Sequence, residues 1–263
     1  MLIDSVANGE WIRLPEINPP DLADASHLLL ENVWDRVLVT DNVFGKIRVS
    51  PYAFSARITH DVPSVSPTVV VSTRDRNVLA IESEVRGAIG NGVFSFLVVV
   101  GDTMPHVDHL ANHHEIVAHL RDLQSQVPRF EVGMPTRFQR WQFEKRIDLG
   151  AEFFVAGPVL DPETIEPNFA QLGRRDEDPP VLLMVIPPFG PRWISRMEAM
   201  GAVPITDAFK QQIEDSDPQE RREMGWHWAQ QIERRAVDAG SSGVILMGLK
   251  YKTVVDEAAT AWR

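Results

Sequence analysis

The chain has 263 residues and no cysteine, and 26 Lys and Arg stand against 37 Asp and Glu, for a formal charge of −11 at neutral pH. The missing cysteine excludes a disulfide scaffold, a thiolate metal site, an iron–sulfur cluster and a cysteine nucleophile. The acidic balance argues against sequence-independent binding of nucleic acid or anionic membranes. With 44% hydrophobic and 24% charged residues the chain has a globular rather than a disordered composition, and its best apolar run, residues 94–100, is too short to span a bilayer. The amino terminus, MLIDSVANGEW, has no basic segment followed by an apolar core, so no signal peptide is read and a cytoplasmic protein is expected.

Short apolar, β-branched runs alternate with amphipathic segments along the whole chain. In chain order the pattern predicts a strand at 11–17 and a helix at 21–34, then a strand at 36–39 and a helix at 51–59. The alternation repeats with strands at 68–72, 95–100, 129–133, 152–155, 181–186 and 243–247. Helices are expected at 77–91, 112–126, 138–149, 163–172, 192–200 and 219–239, with a last one at 253–262. Several end in glycine, as in AIGNG, DLGAE and DAGSSG. FLVVV and VLLMVI are continuous apolar runs, the mark of strands buried on both faces.

Eight strand–helix units in about 250 residues is the arithmetic of a (β/α)8 barrel, an α/β fold. The rival, a doubly wound open sheet, lacks support because no G-x-G-x-x-G turn follows the first strand. No break in composition marks a boundary, so residues 1–263 read as one TIM-barrel domain. In such a barrel the chemistry sits at the carboxyl ends of the strands. The candidates there are Glu16 in LPEINPP, Thr40, Asp41 and Asn42 in TDN, Arg74 in STRDRN, Asp102 and His106 in GDTMPH, Gly157 in AGPVLD, Trp193 in PPFGPRW and Lys250 in MGLK.

These motifs, in this order, resemble those of the methylenetetrahydrofolate reductase family over about residues 11–262: PEINPP, TDN, RDRNVLAIESEVRGAIGNG at 74–92, Gly101-Asp102, and GAEFFVAGPVLD at 150–161. The resemblance implies reduction of 5,10-methylenetetrahydrofolate to 5-methyltetrahydrofolate, with a reduced folate as the small-molecule partner. It makes Glu16 the general acid that protonates the 10-position nitrogen, which requires a partly desolvated carboxyl. It also sets Asp102 beside the pterin, where a carboxylate stabilises the iminium cation. The plain alternatives are a helix cap for Glu16 and a turn residue for Asp102.

The departures from the family pattern carry equal information. Relatives that hold a flavin use a histidine in strand three, aligned with Val70, a tyrosine aligned with Met134, and a longer segment where this chain has only PTRFQRW. The resemblance therefore implies a flavin-free member that takes hydride directly from NADH, with NADPH as an alternative. Substrate-contacting glutamines align with Gly157 and Trp193, and a phenylalanine with Met197. Thr40, Asp41, Asn42, Arg74 and His106 are the expected cofactor contacts, with turn, cap and solvated roles as their alternatives. Lys250 and Arg192 face either the glutamate tail of the folate or solvent.

Five of the eight histidines fall between 106 and 119. His109 and His113 share a helical face, but His114-Glu115-x-x-x-His119 is one residue too long for the H-E-x-x-H zinc motif, and no metal site is expected. A folate-binding or methyl-transfer protein on the same barrel is the rival to a reductase. No apolar stripe calls for a subunit interface, so a monomer is preferred.

Overall fold

Eight parallel strands close on themselves in this computed structural model, which describes residues 1–22, 24–102, 111–191, 193–195 and 206–261. They are β1 (Ile12–Ile17), β2 (Arg36–Val39), β3 (Ser66–Ser72), β4 (Ser95–Val99), β5 (Glu131–Thr136), β6 (Phe153–Val159), β7 (Val181–Val185) and β8 (Gly243–Leu246). Each pairs with its sequence neighbour, and β1 closes the ring by pairing in parallel with β8, Leu14 opposite Ile245. The expected (β/α)8 barrel is the fold observed.

Helices follow the strands: α2 (Pro51–Asp61), α3 (Val78–Gly90), α4 (His113–Leu123), α5 (Arg140–Asp148), α6 (Ile165–Leu172) and α8 (Pro218–Asp238). Two further helices, α1 (Leu2–Ala7) and α7 (Asp207–Asp215), were not expected from the pattern. Both are short, and α7 buries only Ile213, so neither leaves much periodicity to read. The helix expected at 21–34 is instead a single 3-10 helix, Ser26–Leu30. Asn32 stops it with a φ of 59°, while Asp24 turns the chain at its start by accepting the Ser26 N–H at 2.9 Å. The last helical segment begins at Tyr251 and widens to a π turn over Val254–Ala258. There the Trp34 indole N–H takes the Val254 carbonyl at 3.1 Å, a side chain inserted into the helical ladder.

The two-residue period of the strands sorts the core into two layers. Val37 and Val39, Val69 and Val71, and Phe96 and Val98 face outward against the helices. Ile12, Leu14, Leu38, Leu97, Phe153 and Ile245 face inward and fill the barrel. Gly133 makes room for one of them: a Cβ there would lie 2.3 Å from the Phe153 ring.

The amino-terminal face of the barrel is plugged. Leu2 reaches into the inward cluster, and the fully buried Glu131 carboxylate accepts the Leu2 and Ile3 N–H groups at 2.8 and 3.0 Å. Arg36 adds a bond to Ser5 Oγ at 2.7 Å. The free N–H groups at the start of α1 thus find a buried carboxylate, and among the described residues a cleft opens at the opposite, carboxyl-terminal face. Glu131→Ala removes both acceptors, and we expect a loss of about 3 kcal/mol in urea unfolding. A change below about 0.5 kcal/mol would show that the plug is not anchored this way. No helix among the described residues is long and apolar enough to cross a membrane.

Candidate functional site at the barrel mouth

Glu16 shares the inward face of β1 with Ile12 and Leu14 and stands one level above them, at the open end. Beneath the mouth the inward positions Val70, Val99 and Met184 pack on the barrel core yet keep part of their surface accessible. They make an apolar floor. Burial is the largest influence on the Glu16 carboxyl and pushes its pKa up to about 7, with the negative charge of Asp102 acting in the same direction. The one opposing contact is long: the Gly248 N–H donates to Glu16 Oε1 at 3.5 Å.

A cleft of about 620 Å³ opens above Glu16. Its walls come from the loops after β1, β2 and β8, including Asn18, Phe44, Lys46, Arg48, Gly248 and Lys250. Lys46 and Lys250 are exposed at the rim, whereas Arg48 is held by Asp21 at 2.7 Å. Trp193 borders the same region. A Cβ on Gly248 would meet Ile186 Cγ2 at 3.2 Å and the Trp193 indole nitrogen at 3.5 Å, and the φ of 76° at Gly248 is one that favours glycine. That glycine was missed in the sequence, although its place just after a strand, in MGLK, was the available signal.

Across the mouth, Asp102 follows the turn at Gly101 and accepts the Phe44 N–H at 2.6 Å. Asp41 is buried and forms an ion pair with Arg76. It also accepts the Ser72 N–H at 3.3 Å and the Asn42 amide at 3.0 Å. Thr40 Oγ1 bonds to Asn18 Oδ1 at 2.8 Å. Asn42, at a φ of 46°, accepts the Arg48 N–H at 2.8 Å, and the Arg74 guanidinium donates to two main-chain carbonyls. The four described residues expected to meet a cofactor are thus gathered on one side of the mouth, each already bonded to protein.

Asn77 caps α3 by accepting the Ala80 N–H at 2.9 Å. Asp75 occupies the turn with a φ of 54°, which carries Arg74 and Arg76 together toward the loop after β2. Met134 faces outward and is fully buried in the helix-side layer, whereas Val70 faces the mouth. His106 and Met197 lie outside the described residues, as do His109 and Arg192. Of the remaining histidines of that cluster, His119 bonds Glu82 at 2.6 Å. Burial, helped by His114, Arg146 and Lys145, lowers the His113 pKa to about 4. Among the described residues no three His, Asp or Glu side chains are grouped to hold a metal ion.

The family model for methylenetetrahydrofolate reductase matches residues 18–261. The chain belongs to the methylenetetrahydrofolate reductase family. The match begins two positions after Glu16, so the case for that residue is geometric. Among solved structures, an uncharacterized protein from Clostridium thermocellum that binds two copies of 5-methyl-5,6,7,8-tetrahydrofolic acid is similar at a TM-score of 0.66 and 11% identity, over 98% of this chain and 96% of that one. An oxaloacetate acetylhydrolase is similar at 0.57 and 10% identity, over 98% and 81%. A 2,3-dimethylmalate lyase follows at 0.56 and 12% identity, over 93% and 77%. At these identities the likeness is one of fold. No curated protein matches the chain.

Gly157, which the resemblance aligns with a glutamine, has a backbone that accounts for the glycine. It sits at the register shift of β6 with a φ of 102°, and a Cβ would lie 2.9 Å from Val159 N. Any side chain there is strained. Gly157→Gln is expected to lower stability by about 1–3 kcal/mol, read from the urea midpoint; an unchanged midpoint would show that the loop adapts freely.

Proposed function

We propose that this chain reduces 5,10-methylenetetrahydrofolate to 5-methyltetrahydrofolate with hydride taken directly from NADH, and that Glu16 is the general acid. The observation that carries the reading is the inward Glu16 carboxyl, whose pKa is pushed up to about 7 chiefly by burial. The five-membered ring of the substrate opens when its 10-position nitrogen gains a proton, which leaves an iminium ion at the 5-position nitrogen as the hydride acceptor. An ordinary glutamic acid is less than about 1% protonated at pH 7. Glu16 is about half protonated there and has a proton to give. One proton from Glu16 and one hydride from NADH complete the reduction, with NAD+ leaving.

Asp102 lies close enough for its charge to act on Glu16, and in this reading it stabilises the iminium cation. Trp193 offers a ring face to the pterin or the nicotinamide, and Lys46 and Lys250 on the rim suit the carboxylates of a folate tail. Reduced folate as the ligand class is supported by the family and by the Clostridium thermocellum relative that binds 5-methyl-5,6,7,8-tetrahydrofolic acid. A flavin fits poorly, because Val70, which faces the mouth, has no polar atom to hold an isoalloxazine ring. Direct transfer requires the nicotinamide and iminium carbons to approach to about 3–3.5 Å in the one cleft.

A second reading has a specific observation behind it. Thr40, Asp41, Asn42 and Arg74 are all bonded to protein, which favours a folate-binding or methyl-transfer protein that uses no nicotinamide. Purified protein mixed with methylenetetrahydrofolate and NADH separates the two, since the first reading expects NADH oxidation and the second only folate binding. Glu16→Gln should lower kcat/KM at least ~100-fold. Because the acid must be protonated, kcat/KM should be level below pH 7 and fall tenfold per unit above it, around the pKa of about 7. Equal rates in Glu16→Gln would remove Glu16 from the mechanism, and a yellow protein with a flavin spectrum would overturn the flavin-free reading.

A further inference from the structure

We propose that Arg74 is the positioning residue for Asp102, a guanidinium clamp that fixes the Asp102 loop against the loop after β2; the functional half of this inference rests on the reading of Asp102 given above. Arg74 follows β3 and is only 9% exposed. Its Nη1 donates to the Asp102 main-chain oxygen and its Nη2 to the Asn42 main-chain oxygen, each at 2.9 Å. Both terminal nitrogens are therefore engaged by carbonyls from two different loops. A planar fork suits this task, since its two donors diverge at a fixed angle.

The clamp closes a ring. Asn42 leads through Val43 to Phe44, whose N–H donates to Asp102 Oδ2 at 2.6 Å, and the Asp102 carbonyl returns to Arg74. The loop after β2 is tightly wound, with a φ of 46° at Asn42 and 55° at Phe44. On the other side Gly101, at a φ of 87°, lies so close that a Cβ would be 2.3 Å from Ser72 Oγ and 3.2 Å from Arg74 Cβ. The Asp102 carboxylate is thus aimed by three strand ends, and among the described residues Arg74 is the one side chain that binds both neighbouring loops through these carbonyls. Its two terminal nitrogens are spent on these carbonyls, and its Nε lies 3.9 Å from the Asp75 carboxylate.

The test uses the full chain and the variants Arg74→Met, Arg74→Lys, Asp102→Asn and Arg74→Met with Asp102→Asn. Arg74→Met is expected to lower kcat/KM for methylenetetrahydrofolate by about 10–100-fold, the scale of an ångström-sized misplacement. In the Asp102→Asn background the same change should add less than about 3-fold, because residues acting through one another are not additive. Arg74→Lys should fall between, which keeps the comparison available if the methionine variant folds poorly. Hydrogen exchange at the Phe44 amide reads the clamp without any turnover, and exchange should quicken at least ~10-fold in Arg74→Met and in Arg74→Lys. Equal losses in both Asp102 backgrounds, or an unchanged Phe44 amide, would overturn the proposal. If the unaltered protein oxidises no NADH, the reductase reading falls by itself, and the Phe44 amide still decides whether Arg74 holds the two loops.

Discussion

The whole mouth is organised around one inward-facing carboxyl at the foot of the cleft. Glu16 faces inward because Ile12 and Leu14 do, and it stays inward because β1 is paired on both sides, with β2 and with β8. A shift of one residue in either pairing would turn Glu16 into the helix layer and expose Ile17 to the barrel interior. Closure of the sheet therefore does two things at once. It excludes water from below through the plug at Glu131, and it raises a carboxyl over an apolar floor where the charged form is disfavoured.

The charged groups around Glu16 divide by what they touch. Asp41 and Arg76 neutralise each other, and Glu84 adds a second carboxylate to Arg76 at 3.2 Å. That network lies where β2 and β3 end, with Asp41 and Arg76 lining a separate cavity of about 290 Å³ and not the cleft above Glu16. Arg74 is engaged by carbonyls. Of these groups only Glu16 lines the cleft, with Lys46 and Lys250 on its rim. An acid at the bottom and cations at the edge suit a ligand with a basic ring and an anionic tail.

Most of the barrel was legible because period-two apolar runs separated by amphipathic segments admit few arrangements. The strand centres fell where expected, and the ends of β5 and β6 ran on to Thr136 and Val159 because proline and glycine there read as loop. The 21–34 segment misled for a physical reason: its apolar spacing is helical, but the left-handed Asn32 ends the helix early. In the site, the position of Glu16 at the mouth end of the first strand was readable from its motif. What its polar neighbours do was not, since a buried arginine bonded to carbonyls and one facing a phosphate have the same sequence. The outward face of Met134 shows the same limit. A one-position ambiguity in a strand end decides whether a residue meets a cofactor or a helix.

The contrast between Glu16 and Asp102 turns two similar side chains to different uses. Glu16 receives one long backbone hydrogen bond and stands above an apolar floor, and desolvation favours its protonated form. Asp102 receives a short N–H bond from Phe44 and sits on a turn that Arg74 braces. Its orientation is set by the Phe44 N–H and by the Arg74 bond to its own carbonyl. Each also acts on the other, because the Asp102 charge helps to keep the proton on Glu16. In the proposed reduction, an iminium cation formed between them would face that same charge just as the Glu16 proton leaves. That proposal would couple the proton transfer and the stabilisation of its product through the electrostatic influence of Asp102 on Glu16, and the geometry of that influence depends on how firmly Asp102 is held by Phe44 and Arg74.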